Sequence, residues 1–283
     1  MMDGFLTWCV ESILEVISFS SKTSHLTSNL ENFSPQLYKY STTILDSVSK
    51  PIAFSILALF FTLELQRISN RVETNGGGQT GFEMIFKSLV RLGLCKLVMD
   101  QVSLIMRAIM DITGYMTDKI NHLGMGNKEV SDMLDAKKIL APILKEGLMF
   151  KVGVSTVLII ALLITIGSIV IVQVVVNMRF IELYAFLAMS PIPIATFPND
   201  EWSSIGKNFL KSFTATALQG TLIFMVMQFY PYLLSSAFSD ITNSGSASET
   251  FLMTLIGIIG NSVLLIFAVM ATGRWSKSIT NAM

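Results

Sequence analysis

The sequence predicts an all-α, polytopic helical membrane protein: about five transmembrane helices, a proline-broken re-entrant segment and an N-terminal amphipathic helix. Three observations carry that expectation. Of 283 residues, 52% are hydrophobic and only 14% charged, against roughly 25% charged in soluble domains. The stretches 152–178, 213–238 and 250–273 contain no Asp, Glu, Lys or Arg, and each is long enough to cross a hydrocarbon core of about 30 Å. Between the first two lies "LAMSPIPIATFPNDEW", apolar as far as Phe197 yet carrying Pro191, Pro193 and Pro198.

Charge balance excludes little. Twenty basic residues meet twenty acidic ones, so no basic excess marks a nucleic-acid binder. Cys9 and Cys95 fall in different kinds of segment and read as small hydrophobes rather than a disulfide framework. The first twenty residues have no basic n-region, and Glu11 and Glu15 interrupt their apolar run. A cleavable signal peptide is not expected there.

From Phe5 to Phe19, Phe5, Cys9, Ile13, Val16 and Ile17 recur at helical spacing opposite Thr7, Glu11, Glu15 and Ser18. This predicts an amphipathic helix with an apolar face for lipid or a partner subunit. Residues 1–47 form an expected extracytoplasmic tail, and 48–283 the transmembrane helical domain. The first span is 48–66, with Glu64 near one end where it can reach the interface. A glycine-rich linker follows. Gly76 and Gly81 have P-loop spacing, but Phe82 and Glu83 stand where Lys and Ser or Thr are required.

The next helix, from Phe82 to about Tyr115 with its span at 92–115, carries Lys96, Asp100, Arg107 and Asp111. At 100° per residue these four fall within an arc of about 60°. Ionisable groups at membrane depth pair with one another or face a cavity. Two readings therefore stand: a face that lines a conduit or meets a partner subunit, or a helix that neutralises its own charges. An outer segment, 116–150, includes a short amphipathic helix near 128–140 and precedes the spans 152–178, 213–238 and 250–273.

Orientation follows from the basic residues. Arg67, Arg71, Lys87 and Arg91, then Arg179, then Lys207 and Lys211, then Arg274 and Lys277 flank the apolar runs. If all face the cytoplasm, the N-terminus lies outside, the C-terminus lies inside, and the loop 239–249, which has no Lys or Arg, is external. Arg179 and Lys207 then share a side, so 180–201 must enter and leave on that side. Such a re-entrant segment is tolerated only against protein or water, and its prolines end the helix.

No catalytic constellation emerges. His25 and His122 lack ligand spacing, and no nucleophile elbow, zinc-protease or Walker A motif is present. Neither a cofactor nor a metal site is expected. The chain does not read as an enzyme.

Residues 178–220, "MRFIELYAFLAMSPIPIATFPNDEWSSIGKNFLKSFTATALQG", resemble the central region of the VirB6/TrbL family, polytopic subunits of type IV secretion and conjugation machines. The matching features are Arg179 after a long span, Ser190, Pro191 and Pro193, Trp202, then Gly206, Lys207 and Phe209 before Gln219 and Gly220. The sequence is most similar to the short forms of Gram-positive conjugative elements. The resemblance implies a plasma-membrane subunit that forms a ring with copies of itself, five-fold by family likeness, alongside secretion ATPases and cell-wall-side components. Through that assembly a relaxase-bound single strand of DNA would cross the membrane. A rival reading from the residues, a secondary transporter or small-molecule permease, rests on the broken helix at Pro191 and Pro193, since discontinuous helices hold substrates in such folds.

Overall fold

In the computed structural model, residues 2–21, 29–75, 78–123, 147–241 and 247–282 are described. The expected helix at 128–140, His25 and residues 242–246 of the expected 239–249 loop lie outside them; the ends of that loop belong to helices. Among the described residues there is no strand. The chain is a succession of helices: α1 (Met2–Ser21), α2 (Leu30–Phe33), α3 (Pro35–Ile44), α4 (Lys50–Asn75), α5 (Gly78–Asp100), α6 (Val102–His122), α7 (Leu148–Met189), α8 (Pro191–Ile194), α9 (Ser203–Ile241) and α10 (Ala247–Thr280).

Four helical runs are long and apolar enough to cross a membrane: Pro35–Glu73, Met149–Met189, Ser203–Tyr230 and Ile256–Thr280. Four of the five expected spans fall wholly or largely within them. The fifth, 92–115, does not, because Lys96, Asp100, Arg107 and Asp111 leave it too charged, and the helix is also interrupted at Gln101. Lys50 Nζ donates to the Asp100 carbonyl at 3.5 Å, while Leu104 N–H turns back to Gln101. The helix expected from Phe82 to Tyr115 is therefore two helices, α5 and α6. The first run also begins earlier than residue 48. Ser34 caps α3 by accepting from Leu37 N–H, Pro35 sits at the first helical position, and a π-helical turn, Leu45–Ser49, joins α3 to α4. That wider turn precedes Pro51, which has no N–H to return.

The residues cluster in two compact units. In the first, built from Met1–Thr27, Tyr115–Met178 and Gln219–Arg274, α7 buries Val154, Leu158, Ala161, Thr165, Ser168, Val172 and Val176. Leu163, Val170 and Val174 stay exposed. Smaller and hydroxylated residues inside and larger apolar ones outside is the pattern of helices packing within lipid. Hydroxyl pairs tie the helices: Thr165 Oγ1 to Ser262 Oγ at 3.3 Å and Thr117 Oγ1 to Thr221 Oγ1 at 2.9 Å. In α1 the buried stripe is Leu6, Cys9, Val10 and Ile13, with Phe5 exposed beside Trp8. The buried face is thus rotated by about 40° from the expected one. Asp3 accepts from Lys151 Nζ at 2.8 Å, which holds its carboxyl below the ordinary value.

The second unit comprises Ser28–Gly114, Arg179–Leu218 and Trp275–Met283. Here α5 and α6 bury Cys95, Met99, Val102, Met106 and Met110 at helical spacing. Phe33 of α2 stacks on Phe180 with ring centroids 3.7 Å apart, and Tyr184 Oη donates to the Leu30 carbonyl at 2.6 Å. The short α8 packs against α4 and α5. Glu64, expected at the interface, is instead 7% exposed with Arg67 Nη1 3.8 Å away. A carboxylate withdrawn from water needs such a partner.

Candidate functional site

The proline stretch is the tip of a helical hairpin. α7 does not stop at Arg179 but runs on to Met189, and the irregular backbone is confined to 190–202. Side chains on the two stems meet in antiparallel order. Arg179 reaches Thr216 and Ala217, while Phe186 meets Phe209 and Phe213 edge-on at 5.6 and 6.3 Å. The expected helix end at Arg179 is accordingly moved ten residues on, to the point where Pro191 and Pro193 withdraw two donors from the α7 ladder.

At the tip, the hydrogen bonds lost to proline are remade locally. Ser190 Oγ donates to the Leu187 carbonyl at 2.8 Å, and Thr196 Oγ1 to the Pro193 carbonyl at 2.7 Å. Asn199 Oδ1 accepts from Glu201 N–H and Trp202 N–H at 3.0 and 3.3 Å, holding the first turn before α9. Cys95 Sγ, from α5, bonds the Ile194 carbonyl. Irregular backbone so satisfied can sit beside an apolar core.

Two features fix the hairpin's shape. A Cβ at Gly206 would stand 2.7 Å from the Phe197 ring and 2.7 Å from the Pro193 carbonyl oxygen, so the start of α9 approaches the tip as only glycine allows. Arg67 and Arg91 then grip the acidic end of the turn. Arg91 Nη1 bonds Asp200 and reaches the Pro198 carbonyl, and Arg67 lies within 3.9 Å of Asp200 and 3.8 Å of Glu201. Trp202, half exposed, tilts against Phe60 at 5.9 Å. Lys207 is exposed.

Arg179 has an unexpected environment. It is 4% exposed, with Nε–H donating to the Thr216 carbonyl at 2.9 Å and Nη2 to the Ala217 carbonyl at 3.1 Å. The guanidinium lies 5.1 Å from the Phe180 ring. It staples the two stems instead of marking a boundary with water, and its planar fork suits that double contact.

The charged stripe is divided by the break at Gln101. Arg107 and Asp111 are exposed on α6, where they bond the α2–α3 segment of the second unit. Arg107 Nη2 donates to Tyr38 Oη at 2.6 Å and lies 3.6 Å from Glu31, and Asn29 Nδ2 donates to Asp111 Oδ1 at 2.9 Å. With Leu187 they border a cavity of about 60 Å³, room for a few waters. This pair clamps the α2–α3 segment. Lys96 and Asp100 are exposed on α5, and among the described residues neither side chain enters an ion pair.

A larger cavity, about 670 Å³, opens between the hairpin stems, where Glu182, Phe186, Met189, Pro193, Phe209 and Lys277 are among its lining residues. Sequence reasoning had not brought Glu182 and Lys277 together. Nor had it paired Arg67 and Arg91 with Asp200, which lies more than a hundred residues further on; the run of basic flanks was the only signal. Among the described residues no group of three His, Cys, Asp or Glu is placed to hold a metal.

Two family models, both described as TrbL/VirB6 plasmid conjugal transfer like protein, match residues 18–191 and 136–283. The chain belongs to the TrbL/VirB6 family. The matches overlap across α7 and the start of the hairpin tip, so the resemblance first seen in residues 178–220 extends over nearly the whole chain. No curated protein and no solved structure matches it. As a TrbL/VirB6 protein with four apolar helices of spanning length, it is a membrane-embedded subunit of a conjugal transfer, type IV secretion apparatus.

Proposed function

We propose that this TrbL/VirB6 protein is a non-enzymatic channel or scaffold subunit of a conjugative type IV secretion system, and that it helps relaxase-bound single-stranded DNA cross the cytoplasmic membrane. It works as a ring of copies, with secretion ATPases on the cytoplasmic side and cell-wall-side components outside. The N-terminus is outside and the C-terminus cytoplasmic. The two overlapping family matches, together covering residues 18–283, carry this reading.

The hairpin supports the orientation. A chain that turns between Met189 and Ser203 and packs stem on stem keeps the exposed Lys207 on the side of the turn. Lys277 of the same unit lines the groove between the stems, and both cations fit a cytoplasmic face. The break at Gln101 leaves 92–115 as a weaker span than the other four. Its α5 half still presents Leu94 and Leu97 outward, which supports a fifth membrane-contacting element.

Deleting the gene from a conjugative element tests the proposal. Transfer falls to background while relaxase nicking continues, and expression in trans restores it. Normal transfer from the deletion strain would rule it out. Uptake of a small solute by the purified protein in liposomes would favour the permease reading.

A further inference from the structure

Two surfaces of the second unit carry charges that enter no ion pair among the described residues. On α5, Phe82, Phe86, Leu89, Gly93, Lys96, Leu97 and Asp100 fall within an arc of about 100°, and all are exposed. Lys96 and Asp100 stand one turn apart at the end of this apolar ridge. At Gly93 a Cβ would meet nothing within 4 Å. Mid-helix glycine weakens a helix, and among the described residues no neighbour explains its use there. The ridge is bare where something else can approach closely.

The second surface is the cavity of about 670 Å³ between the hairpin stems. It is concave and largely apolar, with the Glu182 carboxylate and the Lys277 ammonium on its lining. Neither makes an ion pair among the described residues. An apolar ridge bearing one cation and one anion thus has an apolar groove bearing one anion and one cation. Lipid tails fit neither well, because ionisable groups facing hydrocarbon without partners are disfavoured.

We propose that the α5 ridge of one copy seats in the hairpin groove of the next, with Lys96 against Glu182 and Asp100 against Lys277. Ridge and groove are different patches of one chain, so the contact is head-to-tail and repeats from copy to copy, closing into a ring when the rotation permits. Gly93 lets the ridge backbone approach the groove, as small residues do between membrane helices. This names the contact for the ring proposed above and rests on that reading only for its biological setting.

The test uses full-length chain in donor-cell membranes, where native Cys9 and Cys95 are buried. One epitope-tagged copy carries Gly93→Cys and a differently tagged copy carries Met189→Cys. Mild oxidation is expected to give a two-chain product bearing both tags, absent when either cysteine is omitted. Leu97→Cys replaces Gly93→Cys if that variant accumulates poorly. Lys96→Glu or Glu182→Lys alone should cut the cross-link and transfer at least ten-fold, and the double reversal should restore both.

Absence of the two-tag product from folded chains overturns the inference, as does a cross-link indifferent to the charge reversals. Loss of transfer on deletion without the cross-link sinks this contact alone. The cross-link in an element that transfers normally without the gene sinks the secretion role alone.

Discussion

Gly206 and Arg179 show how closely single residues set the hairpin. Adding one methyl at Gly206 drives a carbon to 2.7 Å from both the Phe197 ring and the Pro193 carbonyl. Gly206→Ala is expected to destabilise by about 1–3 kcal/mol, seen as a lower melting temperature in detergent. Gly273→Ala, whose nearest neighbour is the flexible end of Gln219 at 3.4 Å, stays within about 0.5 kcal/mol of wild type. Equal losses at both glycines would refute the packing argument. For Arg179, the buried charge has carbonyl partners and, among the described residues, no carboxylate. Arg179→Lys keeps the charge, is more strongly hydrated and loses the fork, whereas Arg179→Met fills the space without a charge. Thermal unfolding should therefore show Lys as the more damaging replacement. The glycine and prolines were legible as breakers. Arg179 was not, because an arginine at the end of an uncharged run looks the same whether it meets water or the carbonyls of a distant helix.

Among elements, α5 and α6 depart furthest from expectation. Gln101 is neither Pro nor Gly, so nothing local announces a break. There Leu104 N–H bonds the Gln101 carbonyl and Lys50 Nζ reaches the Asp100 carbonyl at 3.5 Å, while Gln101 N–H still bonds Leu97 and Ile105 N–H still bonds Gln101. The consequence is two kinds of acidic residue on what reads as one stripe. Asp111→Leu removes the acceptor of Asn29 and loosens α2, lowering folded yield. Asp100→Leu leaves the chain folded but harms assembly. Both should reduce transfer more than Asp118→Leu, which loses only an exposed contact with His122 on its own helix; equal effects of all three would remove the stripe's special role. In α1 the apolar periodicity was legible, but its phase was not: the buried stripe is Leu6, Cys9, Val10 and Ile13, while Phe5 and Trp8 both stay exposed. The docking of α1 is also pH-sensitive. Lys151 holds the Asp3 carboxyl below its ordinary 3.8, so the stabilisation is present above about pH 4 and is lost as the pH falls through the lowered folded value. Trp8 emission should shift under acid in the wild type. That shift should be smaller in Asp3→Asn.

For the whole molecule, uncharged length sufficed to find the longest spans, since the bilayer enforces helix on any such run. It did not find where helices end. α7 has 42 residues, about 60 Å, twice a hydrocarbon core, and its end is set by Pro191 and Pro193 rather than by the last uncharged residue. Residues in contact across the fold, such as Arg91 with Asp200, leave no periodic trace. The proposed function requires the hairpin tip and the C-terminus to share the cytoplasmic side. The most direct measurement is side-specific labelling of single cysteines by a membrane-impermeant maleimide. Ser204 and Ser278 are the positions to use, both exposed, whereas Ser190 is fully buried and would stay silent. Ser204→Cys and Ser278→Cys should react only from the cytoplasmic face, and Ser244→Cys only from outside. Labelling of Ser204→Cys and Ser244→Cys from the same side would contradict the proposed topology.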